Sequence, residues 1–304
     1  MPVLILLAAI SISFPTAGTK LPFLERCYMT GAVPLSVTNV TVQGKAADLY
    51  RTGGWITMID LIEGTNSIEI VAGNDTTNCV FTVASKPTPG KATPPSANEY
   101  GKLPFASDVS RPHPAGKEPA DIKIVLDAGH GGNDPGTKSP HGIGEKVANL
   151  QLVREIAKVL GEMGYKTILT REDDSFVKLA DRPKKAHAAD AECFVSIHHN
   201  APGFSTDPRT VRYHAVYAWN TIGSILAEYI NRRMAMTLEG DIPTRGVLQA
   251  NYLVTRNPEI PSCLVEVDFM TTPEAEEAVF DGIRRRAIAK AIAQGIDEWC
   301  RAAD

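Results

Sequence analysis

Ile122-Lys123-Ile124-Val125-Leu126-Asp127-Ala128-Gly129-His130-Gly131-Gly132 runs from an apolar strand pattern straight into a histidine flanked by glycines. β-branched and leucine side chains in so short a run suit a central strand of a parallel sheet, which is covered on both faces. Gly129, Gly131 and Gly132 let the backbone turn sharply and leave the His130 imidazole uncrowded at the strand's carboxyl end. That is the edge at which open α/β sheets place their ligand crevice. Alone, His130 reads equally as a surface or satisfied histidine, so the residues further along decide its meaning.

Downstream, strand and helix patterns alternate. Glu145 to Met163 sets Val147, Leu150, Val153, Ile156, Val159, Leu160 and Met163 on one helical face, and Gly164 stops the helix. Tyr165–Thr170 reads as a strand, Leu179–Ala189 as a helix with Pro183 near its start, and Cys193–His198 as a second buried strand. A helix around Thr221 to Met236, a strand at Cys263–Val267 and a last helix carrying Phe280, Ile283, Ile288, Ile292 and Ile296 complete the pattern. Residues 121–304 are therefore expected to form an α/β domain, a mainly parallel sheet with helices on both faces.

His130, His198 and Glu266 each stand at the carboxyl end of a strand that should be apolar, and parallel strands bring those ends to one edge. Glu145, heading the helix after the first strand, reaches the same edge. Two histidines and one carboxylate are the set of a catalytic zinc whose fourth position is left to water. The remaining carboxylate, Glu266, is then free to act on that water. Each residue also has a plain reading: Glu145 as a carboxylate favoured by the helix dipole, Glu266 as a partner of Arg245 or Arg256. His198 and His199 are strand neighbours and face opposite sides, so one of them stands outside any such site.

The 304 residues are 43% apolar and 22% charged, enough for one full α/β domain and a smaller companion. With 31 basic against 35 acidic residues the net charge is -4, which argues against a nucleic-acid binder. Val3 to Phe14 is an apolar run too short for a comfortable bilayer span, and Thr16-Ala17-Gly18 offers small residues, so residues 1–18 read as an export signal cut near Gly18. No Lys or Arg precedes the run, and the alternative is a buried first strand. After such a cut no membrane-spanning segment is expected, and the chain is placed in the periplasm or cell wall.

Residues 27–85 show short alternating runs at Leu35–Val37, Val40–Val42, Trp55–Ile59, Ser67–Val71 and Val80–Val83, divided by turn signals such as Gly53-Gly54 and Gly73-Asn74-Asp75. This spacing argues a small β-sandwich. Gly53-Gly54-Trp55 followed by Glu63-Gly64-Thr65-Asn66-Ser67-Ile68 resembles bacterial immunoglobulin-like modules, and the segment reads as a spacer or as a contact to wall or protein. Residues 86–120, with eight prolines, read as an extended tether. Of the five cysteines, Cys27 and Cys79 stand at the two ends of the small segment and are a possible pair, while Cys193 and Cys263 read as buried thiols.

The motifs taken in order carry a resemblance. Val125-Leu126-Asp127-Ala128-Gly129-His130-Gly131-Gly132-Asn133-Asp134-Pro135-Gly136, then Gly144-Glu145-Lys146 with Asn149-Leu150, then Thr170-Arg171, Leu179 and Arg182, then Phe194–Ala201, then Leu264–Phe269, is similar to the zinc-dependent N-acetylmuramoyl-L-alanine amidases of the type 3 family. The likeness runs from Ile122 to about Trp299. It implies His130, Glu145 and His198 as ligands of Zn2+, with His199 on the other face, and Glu266 as the catalytic carboxylate. It implies a peptidoglycan substrate, cut at the amide joining the lactyl group of N-acetylmuramic acid to the L-alanine of the stem peptide. Asp127 is a candidate support for a ligand, and Arg171, Arg182, Arg245 and Arg256 are candidates for stem-peptide carboxylates. Asp268 stands where the family usually has glycine and is expected on the same side as Glu266, able to raise its pKa; Thr271-Thr272 replaces Ser-Asn. The segment Pro202 to Arg212 is too short for the inhibitory helix some members insert there. The competing readings are a zinc carboxypeptidase, whose first His and Glu are usually three residues apart rather than fifteen, and a wall-binding protein that has lost catalysis, with Asp268 as the suspect.

Overall fold

The computed structural model describes residues 10–86, 114, 116–257 and 259–302. Its amino-terminal part is all-β, with β1 (Ser11–Phe14), β2 (Lys20–Leu21), β3 (Arg26–Ala32), β4 (Val40–Val42), β5 (Lys45–Ala46), β6 (Asp48–Leu49), β7 (Gly54–Asp60), β8 (Gly64–Ala72) and β9 (Asp75–Val83). They form two sheets, ordered β1-β3-β7-β6 and β2-β9-β8-β4-β5. In β8 and β9 buried and exposed residues alternate, the period-two pattern of a strand with one wet face. Trp55, Phe81, Ile68, Ile70, Met29 and Cys27 fill the space between the sheets.

The structure bears on three expectations for this half. Leu35–Val37 is no strand: Pro34 opens a turn in which the Val37 amide donates to the Pro34 carbonyl at 2.9 Å, and Leu35 lies exposed. The apolar run read as an export signal falls outside the described residues over 1–9, but its end is β1, paired with β3, with Ile10, Ile12 and Phe14 packed on the sandwich core. A cut near Gly18 would remove that strand from the sheet, which begins well before Cys27. Cys27 and Cys79 are unpaired, and all five cysteines are free and buried. Most of the 86–120 tether lies outside the described residues.

The second half contains β10 (Lys123–Ala128), α1 (Glu145–Glu162), β11 (Lys166–Leu169), α2 (Asp181–Ala189), β12 (Cys193–Asn200), β13 (His214–Ala218), α3 (Thr221–Thr237), β14 (Thr244–Gln249), β15 (Ser262–Phe269), α4 (Pro273–Phe280) and α5 (Gly282–Cys300). The sheet order is β11-β10-β12-β15-β13-β14, parallel except where β13 meets β15. Ile124, Val125 and Leu126 are fully buried, as a strand covered on both faces requires. Ile124 and Leu126 face the larger core with α1, α3 and α5, while Val125 packs with Phe194, Leu264 and Ala186 under α2. Truncating Ile124 or Leu126 to alanine costs about 2–5 kcal/mol. The helix expected at the carboxyl terminus is two, because Asp281 breaks the turn and caps α5 by accepting from the Arg284 amide. Ile283 consequently lies exposed rather than on the apolar face. The sheet register sets β12 beside both β10 and β15, with His198 directly opposite Glu266.

Candidate metal centre

His130, Glu145 and His198 present one ligand atom each within 4.8 Å of one another. His130 Nε2 lies 3.1 Å from Glu145 Oε2, and His198 Nδ1 lies 2.9 Å from Glu145 Oε1. The two imidazoles meet edge to face with centroids 4.8 Å apart. Two glycines make this approach possible. A Cβ on Gly129 would fall 2.2 Å from the His198 ring, and one on Gly136 would fall 2.6 Å from Glu145 Oε2 and 2.7 Å from the His130 ring.

His130 itself sits at φ +61°, a left-handed conformation that turns its ring back over the sheet edge. Arg182 holds that turn by donating from Nη2 to the His130 carbonyl at 2.7 Å and from Nη1 to the Ala128 carbonyl at 2.7 Å. Arg171 does the same through the Ala128 and Gly129 carbonyls, both at 2.9 Å. Both side chains are buried, so their expected role at stem-peptide carboxylates gives way to holding the His130 loop. Asp127 takes a hydrogen bond from Ser196 Oγ at 2.6 Å and pairs with Arg182 at 2.8 Å; it supports the strand end rather than touching a ligand.

The electrostatics favour an ionised Glu145. Burial pushes its pKa up, but the hydrogen bonds from His130 and His198 outweigh it and hold the carboxyl well below the usual range. The His199 amide and the Asn149 side chain each donate to Oε1 at 3.0 Å. His130 is opposed by burial yet raised to about 9 by Glu145 and Asp134. His199 faces the other side, bonds Asn149 at 2.8 Å, and is lowered to about 4 by burial. Asp134, 2.9 Å from His130 Nδ1, and Asn149 are supports that sequence reasoning missed. Asn149 lies four residues after Glu145 on one helix face, a spacing that could have revealed it.

Glu266 is the remaining member. Burial, then the nearby Glu145 charge, raises it to about 7 against the opposing pull of His198 and His130. Its Oε2 is buried and has no hydrogen-bond partner among the described residues. Neither Arg245 nor Arg256 pairs with it among the described ion pairs: Arg245 stacks on the Tyr213 ring at 3.8 Å, and Arg256 donates to the Asn251 carbonyl. Tyr217 and Tyr252, in edge contact at 5.4 Å, lie close enough to feel the Glu266 charge, after burial the main cause of the upward shift at Tyr252.

Asp268 does not act on Glu266. Between His198 and Asn200 the pairing with β15 slips by one residue, so Glu266 aligns with His198 while Phe269 aligns with Asn200. That bulge turns Asp268 away, and it is fully buried between Arg212, at 2.9 and 2.7 Å, and Arg284, at 2.7 Å.

The fold and this cluster define an α/β protein that gathers two histidines, a carboxylate between them and a further, half-buried carboxylate at the carboxyl edge of a mostly parallel sheet. Residues 124–298 match the Amidase_3 family model, described as N-acetylmuramoyl-L-alanine amidase, and the chain belongs to that family. It is 32% identical over 220 residues to N-acetylmuramoyl-L-alanine amidase AmiC of Neisseria meningitidis, covering 58% of this chain and 52% of that protein. With AmiA of Escherichia coli the identity is 31% over 218 residues, covering 57% of this chain and 74% of the relative. The structure of AmiC2 of Nostoc punctiforme superposes with a TM-score of 0.55 at 32% identity, covering 59% of this chain and 96% of that one. The chain thus spans about half the length of the Neisseria relative.

Proposed function

We propose that this protein is a zinc-dependent N-acetylmuramoyl-L-alanine amidase that cuts the amide between the lactyl group of N-acetylmuramic acid and the L-alanine of the peptidoglycan stem peptide. The observation that carries the reading is Glu266: a carboxylate whose buried Oε2 has no partner among the described residues, raised to about 7, set in register against His198 of a three-residue cluster. His130, Glu145 and His198 fit zinc in donor type and spacing, and the bare Cα atoms of Gly129 and Gly136 leave the room their rings and carboxylate need. When bound, zinc supplies a Lewis acid that lowers the pKa of water from ~16 toward ~7 and polarises a carbonyl.

The chain does the rest. Glu145 stays ionised and brings one negative charge to the cluster, while Asp134 fixes the His130 ring through Nδ1. Glu266 accepts the proton of the attacking water and returns it to the departing L-alanine amine, a role worth about 100- to 10,000-fold. Arg245, held over Tyr213, and Arg256 are both exposed and remain the candidates for a stem-peptide carboxylate. We place the protein outside the cytoplasm, where its substrate lies, and read its all-β module as immunoglobulin-like. The reading of a wall binder without catalysis loses its motive, since Asp268 is neutralised by two arginines away from Glu266.

The test is digestion of purified peptidoglycan with product masses read directly. Stem peptides should appear with a free L-alanine amino terminus, about one zinc should be present per chain, and His130→Ala or His198→Ala should lose it. Release of anything but intact stem peptides sinks the substrate assignment.

A further inference from the structure

We propose that the amino-terminal module is a working part of the metal centre: it docks on the 139–142 turn and, with His141 as the positioning residue, fixes the loop that presents Glu145. This rests on Glu145 being a zinc ligand and concerns what holds it there.

The ligand is tied to the turn through its own backbone and carboxylate. The Glu145 amide donates to the Thr137 carbonyl at 2.8 Å, and the Thr137 amide donates to Glu145 Oε2 at 3.1 Å. Lys138 and Gly144 form a β-bridge, the Ser139 amide donates to the Ile143 carbonyl at 3.0 Å, and the Ile143 amide donates to Ser139 Oγ at 3.1 Å. Residues 137–145 therefore close into a small hairpin with the ligand at its base and Pro140–Gly142 at its tip. So short a loop has no core of its own, and what grips its tip sets its conformation.

The tip is gripped by the module. Ser13 Oγ, in β1, donates to the Pro140 carbonyl at 2.6 Å in a buried bond. His141 Nε2 lies 3.0 Å from the Thr52 carbonyl, just before β7, while Nδ1 lies 2.7 Å from Glu276 of α4. Both ring nitrogens face acceptors, so one imidazole ties the module, the turn and α4 together. Gly54 closes the contact: a Cβ there would fall 2.8 Å from Pro273 and 3.3 Å from Pro140, all atoms of the catalytic half.

A second contact reaches the segment after His198. The Tyr28 amide donates to the Phe204 carbonyl at 3.2 Å, the Phe14 and Phe204 rings stack with centroids 5.3 Å apart, and Arg209 pairs with Asp48. A tethered spacer would need none of these bonds. The module grips the chain leading into one ligand and the chain leading out of another.

The test measures zinc affinity by chelator competition, and hydrogen exchange over 137–145, in the full chain. Wild type is compared with Gly54→Val, Ser13→Ala, His141→Ala, His141→Gln and the Gly54→Val/His141→Ala double variant. Gly54 lies outside the left-handed region, so valine can adopt its backbone, and the atoms nearest its added Cβ belong to Pro273 and Pro140 across the docking contact. Gly54→Val and His141→Ala should each weaken zinc binding about tenfold, the low end for groups that support a ligand, and speed exchange over 137–145. The double variant should be no weaker than the worse single, because both break one contact. His141→Gln, which keeps an amide donor, should lose less than His141→Ala. Ser13→Ala repeats the module-side arm by removing one hydroxyl. Wild-type zinc affinity in both Gly54→Val and Ser13→Ala overturns the proposal, including the case in which His141→Ala alone falls. A wild-type chain that holds no zinc instead overturns the reading of the site itself.

Discussion

Gly129→Ala is the sharpest single perturbation of the centre. Gly129 does not occupy the left-handed region, so alanine can adopt its backbone, and the exchange by itself reduces the freedom of the unfolded chain. The added methyl, however, would sit 2.2 Å from His198 Nε2 and Cε1, where ordinary contact begins at 3.4 Å. The ring must therefore withdraw by about 1.2 Å, the difference between those two distances. A displacement of ~1 Å in a reacting arrangement costs ~100-fold, and loss of ligand geometry should lower zinc affinity in the same step. The assay pairs zinc content per chain with the rate of stem-peptide release, and a melting curve confirms folding. A folded Gly129→Ala protein with full zinc and wild-type rate would refute the placement of His198 as a ligand.

Glu266→Gln should retain zinc and lose about 100- to 10,000-fold in rate; metal analysis beside the digestion assay checks it, and full activity rejects Glu266 as the base. Asp268→Asn strips the charge between Arg212 and Arg284, which remain partly solvated, so the loss should be about 3 kcal/mol, the low end for a broken buried pair, read by urea unfolding. The acidic limb of its pH–rate profile should stay in place, because Glu266 owes its shift to burial and Glu145. The hydrogen bond with Glu276 raises the His141 pKa, so its contribution to stability is full below the unfolded value of ~6.5 and lost as pH rises through the folded one. The stability of wild type over His141→Gln should accordingly shrink as pH is raised above ~6.5; a gap that widens instead contradicts the ion pair.

The catalytic half was legible because its signals are local. Ile124–Leu126 is apolar throughout and Cys193–Ile197 is apolar but for Ser196, as strands covered on both faces are, and a polar residue at the end of each such run marks the sheet edge. Strands β13 and β14 escaped notice: His214–Ala218 is mostly buried yet carries a histidine and a tyrosine, and β14 is half-exposed at the sheet's margin. Asp268 was misplaced for a different reason. Side-chain alternation holds only while the register holds, and one extra residue against β12 sends a carboxylate to the opposite face.

The module shows where local reading fails by necessity. β3 is buried over Cys27–Ala32 and showed no alternation, so it went unread. Cys27 and Met29 enter the sandwich core, whereas Tyr28 lies against Phe14, which in turn stacks on Phe204 of the catalytic half. A strand whose outer face is covered by another part of the chain loses the polar stripe that would announce it. The missing alternation of β3, the apolar strand at Ser11–Phe14 and the aromatic Phe204 in a short loop are therefore one fact seen three times. Residues without a local reason to be apolar are apolar here because the two halves of the chain meet, and they meet beside the segments that carry Glu145 and His198.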